Sequence, residues 1–243
     1  MKDAKDTMEV ADSHHKRNIA RFEEQSEKTN KVMDKLGEEE LRILSSFKDF
    51  TRVFEKIHNM PKFEKITKDG VDLPRYNAEE LKKVPIGSKA LLARNITLSF
   101  SLFIGGIITN IIGSSLSDKA DKAWSQMMES EEEINKICSY LESLHDTAER
   151  YNASLITVDR VYNNHLEILK FIVKKNGKTD WRTFVTEEKL MTENLVLLVG
   201  VLFNMCKVDL VLVNEEEGEI NKVNTIEVER AINAANKALE VVV

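Results

Sequence analysis

Glu142 and His145 come closest, in residue type and spacing, to a chemical site in this sequence. A Glu-x-x-His pair on a helix is half of the ligand set that di-iron helical bundles use in duplicate, together with two further carboxylates. In the heptad register described below, Glu142 lies at position b and His145 at position e, at the edge or outside of the helix interface. We therefore interpret the pair as solvated, and predict no metal site and no cofactor.

The other histidines give weaker signals. His14 and His15 are interpreted as an exposed helical pair, and His58 as a helix-end residue that can meet the last carbonyls. His165 occupies a heptad d position, where a neutral buried histidine would be costly to protonate near pH 6. The alternative for His165 is a partly exposed or hydrogen-bonded side chain, which would not act as a pH switch.

Cys138 and Cys206 are far apart, lack metal or redox spacing and lie in apolar contexts. We interpret them as buried free thiols in a reducing cytoplasm. Residues 1–10 lack the apolar region of a secretory signal, which also favours the cytoplasm.

Enzyme motifs are missing from the sequence: there is no P-loop, GxGxxG, nucleophile elbow or HExxH. We therefore expect no enzymatic activity and no catalytic residue. The formal net charge is −6, from 35 basic and 41 acidic residues that are interspersed. No basic stripe exists that would favour nucleic acid as a partner.

The elements that must position these residues are long helices. Of the 243 residues, 31% are charged and 42% hydrophobic, with only 3 Pro and 9 Gly, a composition typical of helices with solvated faces. Apolar residues recur with a period of 3.5 over residues 117–176, which predicts a heptad helix that must meet another helix. Position a is assigned to Ala120, Met127, Ile134, Leu141, Ala148, Leu155, Tyr162 and Leu169, and position d to Ala123, Ser130, Ile137, Leu144, Tyr151, Val158, His165 and Ile172.

A second heptad pattern covers residues 8–60, with a weaker start. Gly37 is expected to bend or break this helix, and Pro61 to end it. Its similar length makes it the predicted antiparallel partner of the first. Position a is assigned to Ile19, Ser26, Met33, Glu40, Phe47 and Phe54, and position d to Phe22, Thr29, Leu36, Ile43, Phe50 and Ile57.

Shorter elements complete the pattern. Residues 63–73 predict a β-hairpin that turns at Asp69-Gly70. Thr179, Asp180 and Thr186 are candidate N-caps ahead of a helix over residues 186–207, whose LVLLVGVLF stretch is apolar on every face and too short to span a bilayer. An extended VDLVLV stretch and a closing helix over residues 225–241 follow.

One uncharged run, residues 95–117, stands out within an apolar segment assigned to residues 91–116. At about 1.5 Å per residue it could cross a hydrocarbon core, but its Ser, Thr and Asn content favours a shallow re-entrant hairpin broken at Gly105-Gly106, or a helix buried by protein. The residues predicted to meet a membrane or another subunit are Leu98, Phe100, Leu102, Phe103, Ile104, Gly105, Gly106, Ile107, Ile108, Ile111, Ile112 and Gly113.

The predicted fold is all-α: an elongated antiparallel coiled coil or bundle of long helices, with a short hairpin and an apolar segment between the two long helices. We expect one elongated unit over residues 1–243, divided into a long helix, a hairpin and loop, the apolar segment, the heptad helix and C-terminal helices at 8–60, 61–90, 91–116, 117–176 and 180–243.

Three sequence stretches carry a resemblance to known proteins: NKVMDKLGEEELRILSSFKDFTRVFEKIHNM, DGVDLPRYNAEELKKV and SSLSDKADKAW. They resemble a group of bacterial coiled-coil proteins with a glycine-zipper-type apolar insert, some of them labelled chemotaxis proteins. Where that group has a long Gly/Ala-rich tract, this chain has SFSLFIGGIITNIIGSSL. The architecture is also similar to helical pore-forming toxins of the cytolysin A type, and neither resemblance implies a catalytic residue.

Two functions remain open from the sequence. The first is a membrane-active or membrane-associated, pore-forming type of helical protein that inserts the apolar segment from a coiled-coil stalk. The second is a cytoplasmic scaffold or partner-binding protein in which the same segment is core or an oligomer interface. Both imply a homo-oligomer or a protein partner at the helical interfaces, and the first adds membrane lipid.

Overall fold

The computed structural model describes residues 2–63, 66–73, 116–214 and 220–242. Over these residues the chain is mostly helical, as predicted, with two small antiparallel strand pairs. The four α-helices are α1 (Lys2–Phe54), α2 (Leu116–Lys170), α3 (Thr186–Met205) and α4 (Thr225–Val242).

The first strand pair confirms the predicted hairpin. β1 (Ile66–Lys68) and β2 (Val71–Leu73) pair with Lys68 opposite Val71. Asp69 and Gly70, between them, both adopt positive φ, at 50° and 75°. Two consecutive residues in this region define the turn whose twist matches that of a two-residue hairpin.

The second strand pair consists of β3 (Val211–Leu212) and β4 (Lys222–Val223), which are also antiparallel. β3 lies within the predicted extended stretch. No alternation pattern marks β4, because a two-residue strand is shorter than any such pattern.

Helix α1 differs from its prediction at three points, the first of which is its start at Lys2 instead of residue 8. It continues through Gly37 without a break and ends at Phe54, seven residues before Pro61. After Phe54 the chain tightens into a turn, with Ile57 N donating to Phe54 O at 3.0 Å. His58 is consequently not a helix-end residue. Its N–H donates to Thr179 O at 2.7 Å, and its carbonyl accepts from Trp181 N at 3.0 Å, in a bridge to Asp180.

Helix α2 ends as the sequence predicts. A π-helical turn, Phe171–Lys175, follows the last α-helical residue, and Gly177 then adopts φ +67°. The wider π turn brings two consecutive residues, Ile172 and Val173, into the core. Asp180 caps the short 3-10 turn Trp181–Thr183, accepting a hydrogen bond from Arg182 N at 3.0 Å.

Helices α3 and α4 match their predicted ranges closely. The residues from Leu195 to Phe203 are buried all around α3, as expected for an apolar stretch without a polar face. Thr186 is the first helical residue rather than the cap, because Val185 precedes the helix and its N–H donates to Glu188 Oε2 at 3.0 Å. Helix α4 packs on α3 and on β2.

The chain divides into two compact units, and each long helix contributes residues to both. The described residues of the first unit are 2–34, 116–146, 211–214 and 220–223. Those of the second unit are 35–63, 66–73, 147–210 and 224–242. The expectation of one elongated unit stays a prediction.

Among the described residues, no helix is both long and apolar enough to cross a membrane.

Candidate interaction site at the interface of the long helices

The heptad positions of α2 form a continuous buried face. Every predicted a position from Met127 to Leu169 is buried, and so is every d position from Ser130 to Ile172 except His165. This set contains Ile134, Ile137, Leu141, Leu144, Tyr151, Leu155 and Val158. Leu166, directly after His165, is buried instead.

The buried face of α1 follows the prediction only in its second half. Each d position from Phe22 to Ile57 is buried, and so are the a positions Glu40, Phe47 and Phe54. In the first half, the a positions Ile19, Ser26 and Met33 are only half-buried. At two of these places the buried residue comes one position earlier, Asn18 instead of Ile19 and Val32 instead of Met33.

This change of phase occurs around Gly37. The buried residues Thr29, Val32, Leu36, Glu40 and Ile43 are spaced by three, four, four and three residues. A 3-4-4 spacing is the eleven-residue repeat, which is wound in the opposite sense to the heptad. The d positions stay buried on both sides of this point and the second buried position moves from g to a, while the α-helix continues through Gly37.

In the first unit, polar groups connect the two long helices. Thr29 Oγ1 lies 3.0 Å from Leu141 O and 2.9 Å from Gln25 O, and the first of these contacts is buried. Arg21 donates to Asn135 Oδ1. His15 Nδ1 lies 3.5 Å from Ser130 Oγ.

In the second unit, a charged cluster connects α1 and α2. Asp159 is only 3% exposed. Its Oδ2 accepts hydrogen bonds from Arg42 Nη2 at 2.5 Å and from Asn163 Nδ2 at 2.7 Å. Arg42 also contacts Glu39, and the hydrogen bonds to Glu39 and Asp159 raise the pKa of its guanidinium above the ordinary value. The cluster thus holds a buried carboxylate against a half-exposed cation on the facing helix.

Two buried tyrosines of α2 make further contacts in this unit. Tyr162 packs edge-on against Phe47 with ring centroids 5.8 Å apart, and its hydroxyl lies 3.2 Å from Ser46 Oγ. Tyr151 donates to Met205 O at 2.7 Å, which ties α2 to the end of α3. Burial raises the pKa of both phenols well above the ordinary value near 10.

These contacts show that the predicted antiparallel arrangement is wrong. In the first unit, residues 15, 21 and 29 of α1 meet residues 130, 135 and 141 of α2. In the second unit, residues 42, 46 and 49 meet 159, 162 and 170. Residue numbers rise together, so the helix segments run parallel within each unit.

The length of the connection explains the error. Similar helix lengths suit either direction, and only a short loop enforces an antiparallel neighbour. Residues 55–115 separate the helices. At about 3.3 Å per residue they can reach roughly 200 Å, well beyond the roughly 80 Å length of α1. The chain can therefore return before it enters α2.

The histidine interpretations have mixed outcomes. His15 is buried, so the expectation of an exposed His14-His15 pair is wrong. His165 is half-buried, and its Nδ1 lies 2.9 Å from Val161 O, which agrees with a hydrogen-bonded and partly exposed histidine. Glu142 is exposed and His145 half-buried. Among the described residues no group of His, Cys, Asp or Glu could hold a metal ion.

Cys206 is buried as expected, whereas Cys138 is half-buried. The twelve residues named for the apolar segment, Leu98 to Gly113, lie outside the described residues.

The charged contacts of this interface do not follow from the heptad pattern. Asp159 falls at heptad position e, which flanks the interface, and its burial depends on which residue of α1 faces it. One local signal existed: Asp159 and Asn163 are four residues apart, a spacing that allows side-chain hydrogen bonds on a helix. Arg42 had no signal in the sequence.

Family models, curated proteins and solved structures yield no match to this chain.

Proposed function

We propose that this chain is a non-enzymatic, membrane-associated helical protein, in which paired long helices form a coiled-coil stalk and residues 91–116 attach it to a bilayer. The uncharged run at residues 95–117 carries the proposal, because a segment of this length without charge is rare outside membrane contacts or protein cores. Pore formation by several copies would be one form of this activity, as the likeness to cytolysin A type toxins implies.

The contacts between α1 and α2 support one mode of attachment. Helices that share hydrogen bonds such as Thr29–Leu141 and Arg42–Asp159 lie on the same side of any membrane. The segment between them would then enter the bilayer and return, or cross together with the charged residues that precede it. A shallow re-entrant hairpin, broken at Gly105-Gly106, fulfils this requirement without burying charge.

A soluble scaffold is the second candidate function. It is favoured by the wide buried face of α2, which shows that these helices bury residues beyond the a and d positions, including Asp159 and Thr147. In this case residues 91–116 would be core or an interface with a second copy or a protein partner.

Liposome co-sedimentation separates the two candidates. Wild type is compared with an Ile104→Asp, Ile107→Asp double variant, and helicity is followed by circular dichroism. Pelleting of wild type, together with a folded variant that stays in solution, supports membrane attachment. A wild type that does not pellet, with a variant that loses helicity or dissociates, supports the scaffold. An exposed control, Ile226→Asp in α4, should change neither result.

A further inference from the structure

The chain between the end of α2 and the start of α3 exposes an unusual set of apolar side chains. We call residues 168–190 the α2–α3 corner. Phe171 is 56% exposed and Ile168 48%, and Val185 and Leu190 are exposed to a similar extent. Ile168 and Phe171 are three residues apart, so they lie next to each other on one face of the helix end.

Several contacts fix the fold of this corner. The Lys178 ammonium lies 2.7 and 2.8 Å from the two Glu188 oxygens, which joins the end of α2 to the first turn of α3. Trp181 packs against Phe184 with ring centroids 5.5 Å apart, and both are buried. The exposed apolar residues therefore project from an ordered framework.

The charge of the corner is positive within an acidic chain. Residues 168–190 contain six basic and three acidic residues, whereas the whole chain carries −6. Three of the basic groups are paired, in Lys170–Glu167, Lys178–Glu188 and Arg182–Asp180. Lys174 and Lys175 are exposed and form no ion pair with any described residue. They follow Phe171 within one turn.

We infer that the α2–α3 corner binds the surface of an anionic lipid bilayer, with Phe171 and Ile168 at the headgroup boundary and Lys174 and Lys175 on lipid phosphates and carboxylates. Exposed apolar side chains beside unpaired lysines are the combination that interfacial binding requires. Charge complementarity favours this occupant. A second copy of this acidic chain could supply negative charge for the lysines. An anionic bilayer supplies both negative charge for the lysines and apolar surface for Phe171 and Ile168, and is therefore the better match. This site and the proposed function both involve membrane lipid. They use different residues, because the corner lies outside residues 91–116.

The test is binding to vesicles of phosphatidylcholine with about one-third phosphatidylserine, beside vesicles of phosphatidylcholine alone. Wild type should prefer the anionic vesicles, and raising the salt concentration should weaken binding. Lys174→Gln with Lys175→Gln should lower the partition coefficient about twenty-five-fold, at roughly fivefold for each lysine. Phe171→Ser should lower it roughly tenfold.

Matched controls use residues with similar exposure elsewhere. Lys35→Gln with Lys222→Gln removes the same charge from exposed positions, and Ile226→Ser removes an apolar side chain that is 72% exposed. Both should bind as wild type does. Equal losses in the corner and control variants, or no preference of wild type for anionic vesicles, would overturn the inference.

The same variants in the Ile104→Asp, Ile107→Asp background separate this inference from the proposed function. Salt-sensitive binding that survives in that background and disappears with the lysine variants supports the corner, even if residues 91–116 prove to be core. Binding that depends on Ile104 and Ile107 but not on Lys174 and Lys175 overturns the corner and leaves the proposed function standing.

Discussion

Arg42 on α1 and Asp159 on α2 form a charged hydrogen bond of 2.5 Å, in which the carboxylate is buried and the guanidinium is 51% exposed. The two partners should respond differently to removal. Arg42→Ala leaves a buried carboxylate with Asn163 as its partner, and should lower the free energy of unfolding by about 1–3 kcal/mol. Asp159→Asn leaves a cation that water can solvate, and should cost less.

A double-mutant cycle measured by urea unfolding gives the coupling between these two residues. We expect a coupling of about 1 kcal/mol for Arg42–Asp159. The exposed pair Arg52–Asp49, at 3.2 Å, is the matched control and should show less than about 0.5 kcal/mol. Equal coupling in the two pairs would show that burial of Asp159 contributes nothing to the interaction.

Because Tyr140 is buried, we expect the free energy of unfolding to fall at alkaline pH. Burial raises the pKa of its phenol to about 12 in the folded protein. Above pH 10 the unfolded chain releases a proton that the folded chain keeps, so the free energy of unfolding falls as pH rises. The loss should run from about pH 10 to about pH 12, at up to about 1.4 kcal/mol per pH unit.

Urea unfolding of wild type and Tyr140→Phe at pH 8, 10 and 11 checks this expectation. Lysines also titrate in this range, but their contribution is common to both proteins and cancels in the comparison. The variant should lose less stability than wild type between pH 10 and pH 11. Parallel losses in the two proteins would mean that Tyr140 ionises as readily in the folded chain as in the unfolded chain.

How far the sequence predicts this structure depends on how completely a helix face is apolar. Nearly all a and d positions of α2 are apolar, so their burial follows from the pattern alone. The first half of α1 is mixed, and there the buried positions include Asn18 and His15, which no hydrophobic pattern marks. Tertiary contacts such as His15–Ser130 decide which face turns inward.

The pairing direction lies beyond such patterns for a different reason. A heptad repeat has the same spacing whether it is read forwards or backwards, so it fixes a face but no direction. Direction comes from individual contacts such as Thr29–Leu141 and Ser46–Tyr162, whose partners are more than one hundred residues apart in the sequence. The hairpin at Asp69-Gly70 was predictable because its signal is local.

Gly177 ends the helical region after α2 with φ +67°, and a Cβ placed there would meet no atom within 4 Å. The cost of a side chain is therefore set by the backbone alone. Gly177→Ala should lower the free energy of unfolding by about 1 kcal/mol, since alanine disfavours positive φ. Gly177→Asn should cost less, because asparagine tolerates this region. Thermal unfolding compares the two, and an alanine variant as stable as the asparagine variant would contradict the expectation.

The parallel direction of α1 and α2 in the first unit can be measured by spin-label distances. Lys16 and Lys28 on α1 and Glu142 on α2 are exposed, and Glu131 on α2 is half-buried. Four doubly labelled variants each carry one label on α1 and one on α2, in a chain whose two native cysteines are replaced. Because His15 meets Ser130 and Thr29 meets Leu141, the pairs 16/131 and 28/142 should have the shorter distances.

The crossed pairs 16/142 and 28/131 should be longer, because about twelve residues of helix, roughly 18 Å, separate their levels along the axis. An antiparallel pair of helices would reverse this order. The comparison needs no absolute distance, since each label serves once in a matched and once in a crossed pair. Label flexibility therefore affects both sets alike, and the sign of the difference alone gives the direction.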